Sequence, residues 1–322
     1  MSKIGIVGVT GVVGNKFLEV IDEYNLVFEK IRLFASKKSE GKIINFQNKE
    51  YVINSLNEGC FKELDYVLFS AGSKVSEKWC IEAEKEGCIV IDNSSAFRFI
   101  DDIPLIVSEV NMDDFYLSKR KIIANPNCST MQCIVILDII NKINKLKKVY
   151  YSTYQAVSGA GKRAIDDLLN IKKGYFNIDI NKTCIPLIGD LLDNNYSNEE
   201  IKMIKETKKI LKNNDLEVSA TCVRVPILNS HAVSVYLECE EDIDLDLIKK
   251  ELAKSSSIVI MDDLGLYPNS IIANNNDLIY VGRMRVNLDN PKGMWFYCVS
   301  DNLRKGAASN AIQILRNLIL KD

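Results

Sequence analysis

Gly8, Gly11 and Gly14 stand three residues apart, directly after the apolar run Ile4–Val7 and ahead of a helix-periodic stretch, Lys16–Asp22. A glycine past a strand permits a tight turn, a second lets backbone approach a ligand, and a third lets the following helix pack on the strand. The phosphates of a dinucleotide then sit at the helix N-terminus. The spacing is a variant of the usual fingerprint, and an ordinary glycine-rich βα turn is the alternative reading. Further apolar runs follow at Lys30–Ala35, Tyr66–Ser70, Ile89–Asp92 and Ile122–Asn125, with a helical pattern over Ser76–Glu86. That alternation predicts parallel βαβ units and a doubly wound sheet.

Past Cys128 the pattern changes. A helix is predicted from Ser129 to about Lys145, then a strand over Lys148–Val157 and helices over Arg163–Lys172 and Asn198–Lys212. Strands of antiparallel character follow at Val218–Val225, Ala232–Glu240, Ile279–Val286 and Met294–Ser300. The expected class is α/β: a Rossmann-type domain over 1–127 and an α+β domain with a mixed sheet over 128–302. A C-terminal helix, about 303–322, is expected to pack back onto the first domain.

The 322 residues are enough for two domains, and the net charge of −2 with no basic face argues against a nucleic-acid partner. Lys202, Lys205, Lys208 and Lys209 alternate with Glu199, Glu200 and Glu206 as on a solvated helix. Nine cysteines without metal-like spacing imply no metal site, and reduced thiols with no secretory signal point to the cytoplasm. The longest apolar stretches are broken by Asp138 and Arg316, so no membrane span is expected.

Two residues stand out chemically. Cys128, in the run Asn125-Pro126-Asn127-Cys128-Ser129-Thr130, precedes a helix, with Ser129 and Thr130 read as its caps. A thiol at a helix N-terminus is biased towards the nucleophilic thiolate. The other eight cysteines lie among apolar neighbours and read as buried and inert. His231 is the only histidine. A structural role near a strand start is its plain reading; the catalytic one rests on scarcity and on Arg224, seven residues earlier across a bend containing Pro226. After the second strand the chain reads Phe34-Ala35-Ser36-Lys37-Lys38-Ser39, with no carboxylate for ribose hydroxyls. Hydroxyls and ammoniums there suit a 2′-phosphate and favour NADP over NAD, with a solvated basic turn as the plain alternative.

Several longer runs carry a resemblance: the glycine loop, SAG at Ser70–Gly72, DNSSAFR at Asp92–Arg98, NPNCST, YQAVSGAG at Tyr154–Gly161, VGRMR at Val281–Arg285 and SDNLRKGAA at Ser300–Ala308. Through them the chain resembles the aspartate-β-semialdehyde dehydrogenase family, NADP-dependent phosphorylating enzymes of amino-acid biosynthesis. The resemblance implies a cytoplasmic homodimer whose first domain binds NADP and whose second is catalytic and dimerising. Its reaction would reduce L-4-aspartyl phosphate to L-aspartate 4-semialdehyde and phosphate through a cysteine thioester. Cys128 matches the nucleophile and His231 the acid–base. Gln155 matches the residue orienting substrate; Arg98 and Lys202, with Asn127 beside them, match the phosphate anchors. Arg224 matches the clamp on the α-carboxylate and Glu199 the acceptor of the α-ammonium. Cofactor contacts fall on Thr10, Gly11, Val12 and Val13 with Gly8 and Gly14, on Ser36, Lys38 and Ser39, on Gly72, and on Ser158, Gly159 and Asn302. Relatives often carry arginine at position 38, and the segment 164–185 is shorter here. An N-acetyl-γ-glutamyl-phosphate reductase-like enzyme and a non-catalytic NADP-binding paralogue remain as alternatives.

Overall fold

Side chains alternate along β1 (Lys3–Val7): Ile4 and Ile6 enter one apolar core, while Gly5 backs onto Leu64, Val67 and Phe34 on the other face. A strand covered on both faces needs helices on both sides. In this computed structural model, which describes residues 1–262 and 265–321, Met1–Pro126 and the residues from Ala307 onward form one unit, and Asn127–Gly306 another.

The first unit continues with α1 (Val12–Glu23), β2 (Lys30–Phe34), β3 (Ile43–Phe46), β4 (Lys49–Asn54) and β5 (Tyr66–Phe69). It goes on through α2 (Ser73–Lys85), β6 (Ile89–Asp92), α3 (Asp114–Leu117) and β7 (Ile122–Ala124). The sheet order is β3-β4-β2-β1-β5-β6-β7, parallel except for the β3–β4 hairpin. That hairpin adds an edge to the Rossmann core that the sequence reading passed over. Its turn is Gln47-Asn48, both at positive φ, the hand that matches strand twist.

The second unit holds α4 (Cys128–Ile143), β8 (Leu146–Gln155), α5 (Lys162–Leu168), α6 (Asn198–Ile210), β9 (Glu217–Arg224) and β10 (His231–Cys239). After these come α7 (Leu245–Leu252), β11 (Ile258–Ile260), α8 (Ser270–Ala273), β12 (Ile279–Val286) and β13 (Gly293–Ser300). The sheet order is β11-β12-β13-β10-β8-β9. The sheet is mixed, as expected, but β9 pairs parallel to β8 and not antiparallel. Parallel pairing follows from α6, which occupies the crossover and packs on β9. Val149, Tyr151, Thr153 and Gln155 face the helices, whereas Tyr150 and Tyr154 lie on the opposite face against Tyr236 and Tyr297.

Back in the first unit, α9 (Ser309–Lys321) inserts Ala311, Ile312, Leu315 and Leu318 into the core with Ile4, Ile6, Phe17 and Ile21. Asn310 fixes it: its amide accepts from Ser108 N–H and donates to Ile106 C=O and Asn125 Oδ1. A buried amide with both ends satisfied sets helix register where apolar contacts alone tolerate sliding.

Candidate active site

In the first unit, the glycine loop has the geometry its spacing demands. Gly8 adopts φ of 85°, and a Cβ there would lie 2.3 Å from Ser70 O. At Gly14 a Cβ would fall 2.1 Å from Gly8 O, so only glycine lets α1 seat on the turn. Gly11 is the N-cap of α1 and no side chain among the described residues caps its first turn, which leaves donors at the positive end of the helix. Beside it lies a cleft lined by Thr10, Ala35, Ser36, Leu56, Ala71 and Val75. Leu56 and Val75 give it apolar walls that the sequence reading did not assign. Lys38 and Ser39 follow in a short helical turn, Lys37–Ser39, and Glu40 is occupied by Ser55, whose Oγ donates to it at 2.7 Å. Gly72, with φ of 79°, is the N-cap of α2. These features fit a dinucleotide. Gly14→Ala is expected to weaken cofactor binding at least about tenfold by forcing α1 off the turn, at a stability cost of about 1–3 kcal/mol. A fluorescence titration of the cofactor measures the first and urea unfolding the second.

In the second unit, Cys128 is the first residue of α4 and partly exposed. The helix begins one residue earlier than Ser129, and its cap is Asn127, not Ser129 or Thr130. Asn127 Oδ1 accepts from the N–H groups of Ser129 (2.9 Å) and Thr130 (3.4 Å). An asparagine amide reaches the second and third N–H of a helix, a geometry that residues inside the first turn cannot supply. Asn127 also donates from its backbone N–H to the buried Glu206 and from Nδ2 to Glu199 Oε1 at 2.8 Å. Of the other cysteines, seven are buried, and burial pushes Cys88 and Cys239 up to about 12. Cys184 departs from expectation: it is exposed.

Glu199 and Lys202 sit one turn apart on α6, and their pair is not the surface ion pair that their spacing allows. Glu199 is buried and accepts from Asn127, from Gln155 Nε2 at 3.1 Å and from Lys202 Nζ at 3.0 Å. Burial alone would raise its pKa; the Lys202 charge and the three hydrogen bonds outweigh that and hold it at about 2. Glu206, also expected in a solvated row, is fully buried under the Asn127 N–H.

Ala156, just past β8, joins the remaining pair through its main chain. Its N–H donates to His231 Nδ1 at 3.0 Å and its C=O accepts from Arg224 Nη1 at 2.6 Å. Arg224 ends β9 and His231 begins β10, the two strands flanking β8, so the bend through Pro226 does bring them together. Gln132, one turn along α4 from Cys128, donates to His231 C=O at 3.2 Å. Among the described residues His231 Nε2 is buried with no hydrogen-bond partner, and a Cβ on Gly159 would lie 3.1 Å from it. Burial, and then the Arg224 charge, push His231 down to about 3. Below pH 6.5 the unfolded chain therefore takes up a proton that the native state refuses. The contribution of His231 to stability is full above that pH and falls by about 1.4 kcal/mol per pH unit as the pH drops towards the native-state value. Because there is one histidine, His231→Gln is expected to remove that slope between pH 6.5 and 5, measured by urea unfolding.

Residues 3–117 match the family described as semialdehyde dehydrogenase, NAD binding domain, and residues 137–305 the semialdehyde dehydrogenase dimerisation domain. The aspartate-semialdehyde dehydrogenase of Aquifex aeolicus is 42% identical over 98% of both chains, and that of Campylobacter jejuni 42% identical over 97% of this chain and 96% of its own. The crystal structure of aspartate semialdehyde dehydrogenase II from Vibrio cholerae superposes with a TM-score of 0.94 at 38% identity, covering 99% of this chain and 98% of that one. The chain belongs to the aspartate-semialdehyde dehydrogenase family.

Within that family frame, three further sequence-assigned residues lie in the second unit. Asn302 Nδ2 donates to Ser158 Oγ at 3.0 Å, and its Oδ1 accepts from Ser230 N–H at 2.8 Å, fixing the residue before His231. Gly159 lies against His231 and Arg224. Arg98, in the first unit, is buried and donates to Asn93 C=O at 3.2 Å. Sequence reasoning missed Gly306: a Cβ there would lie 2.8 Å from Cys128 Cβ and 3.2 Å from its Cα. Gly306→Ala is therefore expected to displace the thiol and lower kcat about 10²-fold with cofactor binding intact, checked by steady-state kinetics beside a cofactor titration. Among the described residues no group of three or more His, Cys, Asp or Glu is placed to hold a metal ion, and no helix is long and apolar enough to cross a membrane.

Proposed function

We propose that the chain reduces L-4-aspartyl phosphate to L-aspartate 4-semialdehyde, releasing phosphate, through a thioester on Cys128. The observation that carries the reading is a partly exposed cysteine opening α4, whose capping residue hydrogen-bonds to a buried carboxylate already holding an ammonium. Glu199, charged at neutral pH and paired with Lys202, is suited to a free α-ammonium; an N-acetylated amine has no charge to offer it. Arg224 spends one of its donors on Ala156, leaving its fork for an α-carboxylate. Lys202 and Arg98 are assigned to the phosphate. The solved Vibrio cholerae relative was also determined in complex with ASA.

When bound, NADPH would supply the hydride. Gly8, Gly11 and Gly14 with Val12 and Val13 would hold its pyrophosphate, and Ser36, Lys38 and Ser39 its 2′-phosphate. Support for NADP over NAD comes from the run Ser36-Lys37-Lys38-Ser39 after β2, which offers hydroxyls and ammoniums and no carboxylate; the next residue, Glu40, accepts from Ser55. A homodimer is favoured by the match to a dimerisation domain and by the open aromatic face of the second sheet, where Tyr154 is 41% exposed. The test is NADP⁺ reduction dependent on both the semialdehyde and phosphate, repeated with NAD⁺. Turnover with NADP⁺ several-fold above that with NAD⁺ is expected; reduction independent of phosphate would contradict the reading.

A further inference from the structure

We propose that Glu206 is a positioning residue for the Cys128 nucleophile: it completes the N-terminal cap of α4 from a neighbouring helix, and so registers the thiol to the side chains assigned to the substrate. This rests on the reaction proposed above. A helix that begins at Cys128 leaves two kinds of main-chain donor to satisfy. One kind is the N–H groups of its first turn; the other is the N–H of the cap residue, which points out of the helix. Asn127 Oδ1 meets the first by accepting from Ser129 and Thr130. In a capping box the second is met within the same helix, by a Glu or Gln at the third helical position reaching back to the cap.

α6 closes its box in that way: Ser197 Oγ accepts from Glu200 N–H at 3.3 Å, and Glu200 Oε2 accepts from Ser197 N–H at 2.7 Å. α4 does not. Its third residue is Thr130, whose hydroxyl is too short to reach back and, among the described residues, has no hydrogen-bond partner. The Asn127 N–H goes instead to Glu206 Oε2 on α6, a buried bond of 2.6 Å. The reciprocal half of the α4 cap therefore belongs to another helix.

Glu206 follows Glu199 by seven residues, about two turns, on the same face of α6. Glu199 Oε1 accepts from Asn127 Nδ2 at 2.8 Å, so one helix holds both the main chain and the side chain of the residue before the nucleophile. α6 is tied in turn to β8, the strand that ends in Gln155, through the buried pair Thr207 Oγ1 and Tyr151 Oη at 2.9 Å. Gly306 closes the other side of Cys128. Asn127 has an extended ψ of 143°, and the chain turns into α4 at the next residue. A shift of the Asn127 peptide therefore swings the Cys128 Cα–Cβ bond, and misplacing a reacting atom by about 1 Å costs about 10²-fold in rate. What the position requires is an acceptor oxygen at this reach, and not a charge as such.

Three substitutions separate reach from charge. Glu206→Gln keeps an acceptor at the same reach, Glu206→Asp keeps the charge one methylene short, and Glu206→Leu keeps neither. Relative to wild type, kcat is expected within about fivefold in Glu206→Gln, about tenfold down in Glu206→Asp and about 10²-fold down in Glu206→Leu, with KM for the semialdehyde within about threefold throughout. Iodoacetamide labelling, mapped by peptide mass spectrometry, reads the thiol without substrate. The exposed Cys184 is the internal reference, and the buried Cys88 and Cys239 report unfolding. The ratio of Cys128 to Cys184 labelling is expected to fall in the same order, by about tenfold in Glu206→Leu. A wild-type ratio and kcat in Glu206→Leu overturn the proposal, whatever its urea midpoint. Loss in Glu206→Gln equal to that in Glu206→Leu also overturns it, because the effect then belongs to the charge. If Cys88 and Cys239 label in Glu206→Leu, that variant has unfolded and Glu206→Asp decides: a wild-type ratio and kcat there overturn the proposal. Labelling needs no substrate, so the expected order of ratios, with a wild type that fails the phosphate-dependent assay, would remove the proposed reaction and leave Glu206 as the residue that places the thiol.

Discussion

Cys128→Ala is expected to lower turnover at least about 10⁴-fold while leaving NADPH affinity and the unfolding midpoint unchanged. The substitution keeps the Cβ that packs on Gly306, so the backbone of the α4 first turn has no reason to move. The cap survives too, because Asn127 reads the N–H groups of Ser129 and Thr130 and not the side chain of residue 128. Only the sulfur is lost, and no neighbouring group substitutes for it: the next thiol on the same helix, Cys133, is fully buried, with a pKa raised by burial and by its neighbour Cys298. Steady-state kinetics with a cofactor titration decides the point. Activity near wild type in Cys128→Ala would contradict the acyl-enzyme scheme.

Arg224→Leu is expected to cost about 10²- to 10³-fold in kcat/KM, most of it in KM. The guanidinium is buried at the end of β9 beside Ala156, and leucine fills much of the volume without the charge. Losing the carboxylate clamp removes binding shared by ground and transition states, which appears in KM. The Ala156 carbonyl also loses its donor, so urea unfolding should show a loss of about 1–3 kcal/mol. Arg224→Lys keeps a charge but not the fork and is expected to fall between the two. A KM untouched by Arg224→Leu would take the residue out of the clamp role.

The parts of this molecule legible in the sequence are those where a side chain, or the need for none, carries the signal. Gly8 and Gly14 mark close backbone approaches that no other residue tolerates. Cys128 stands at a helix start that periodicity finds to within one residue; the error over its cap came from reading Ser129 and Thr130 by preference, when Asn127 precedes them. The β3–β4 hairpin escaped because its strands lie at an edge, with exposed Ile43 and Val52 blurring the alternation. The burial of Glu199 and Glu206 escaped because a row of acids and lysines looks solvated until the partners from α4 and β8 arrive. Ala156 and Gly306 were invisible for a simpler reason: one acts through its peptide group, the other through the absence of a Cβ.

The central claim is a covalent one, and rapid-quench intact mass spectrometry addresses it. Enzyme mixed with semialdehyde and NADP⁺ in the absence of phosphate, where the thioester has no acceptor, should gain one aspartyl group, mapped by peptide digestion to Cys128. An unmodified Cys128 peptide, in a preparation that turns over once phosphate is added, would contradict the account.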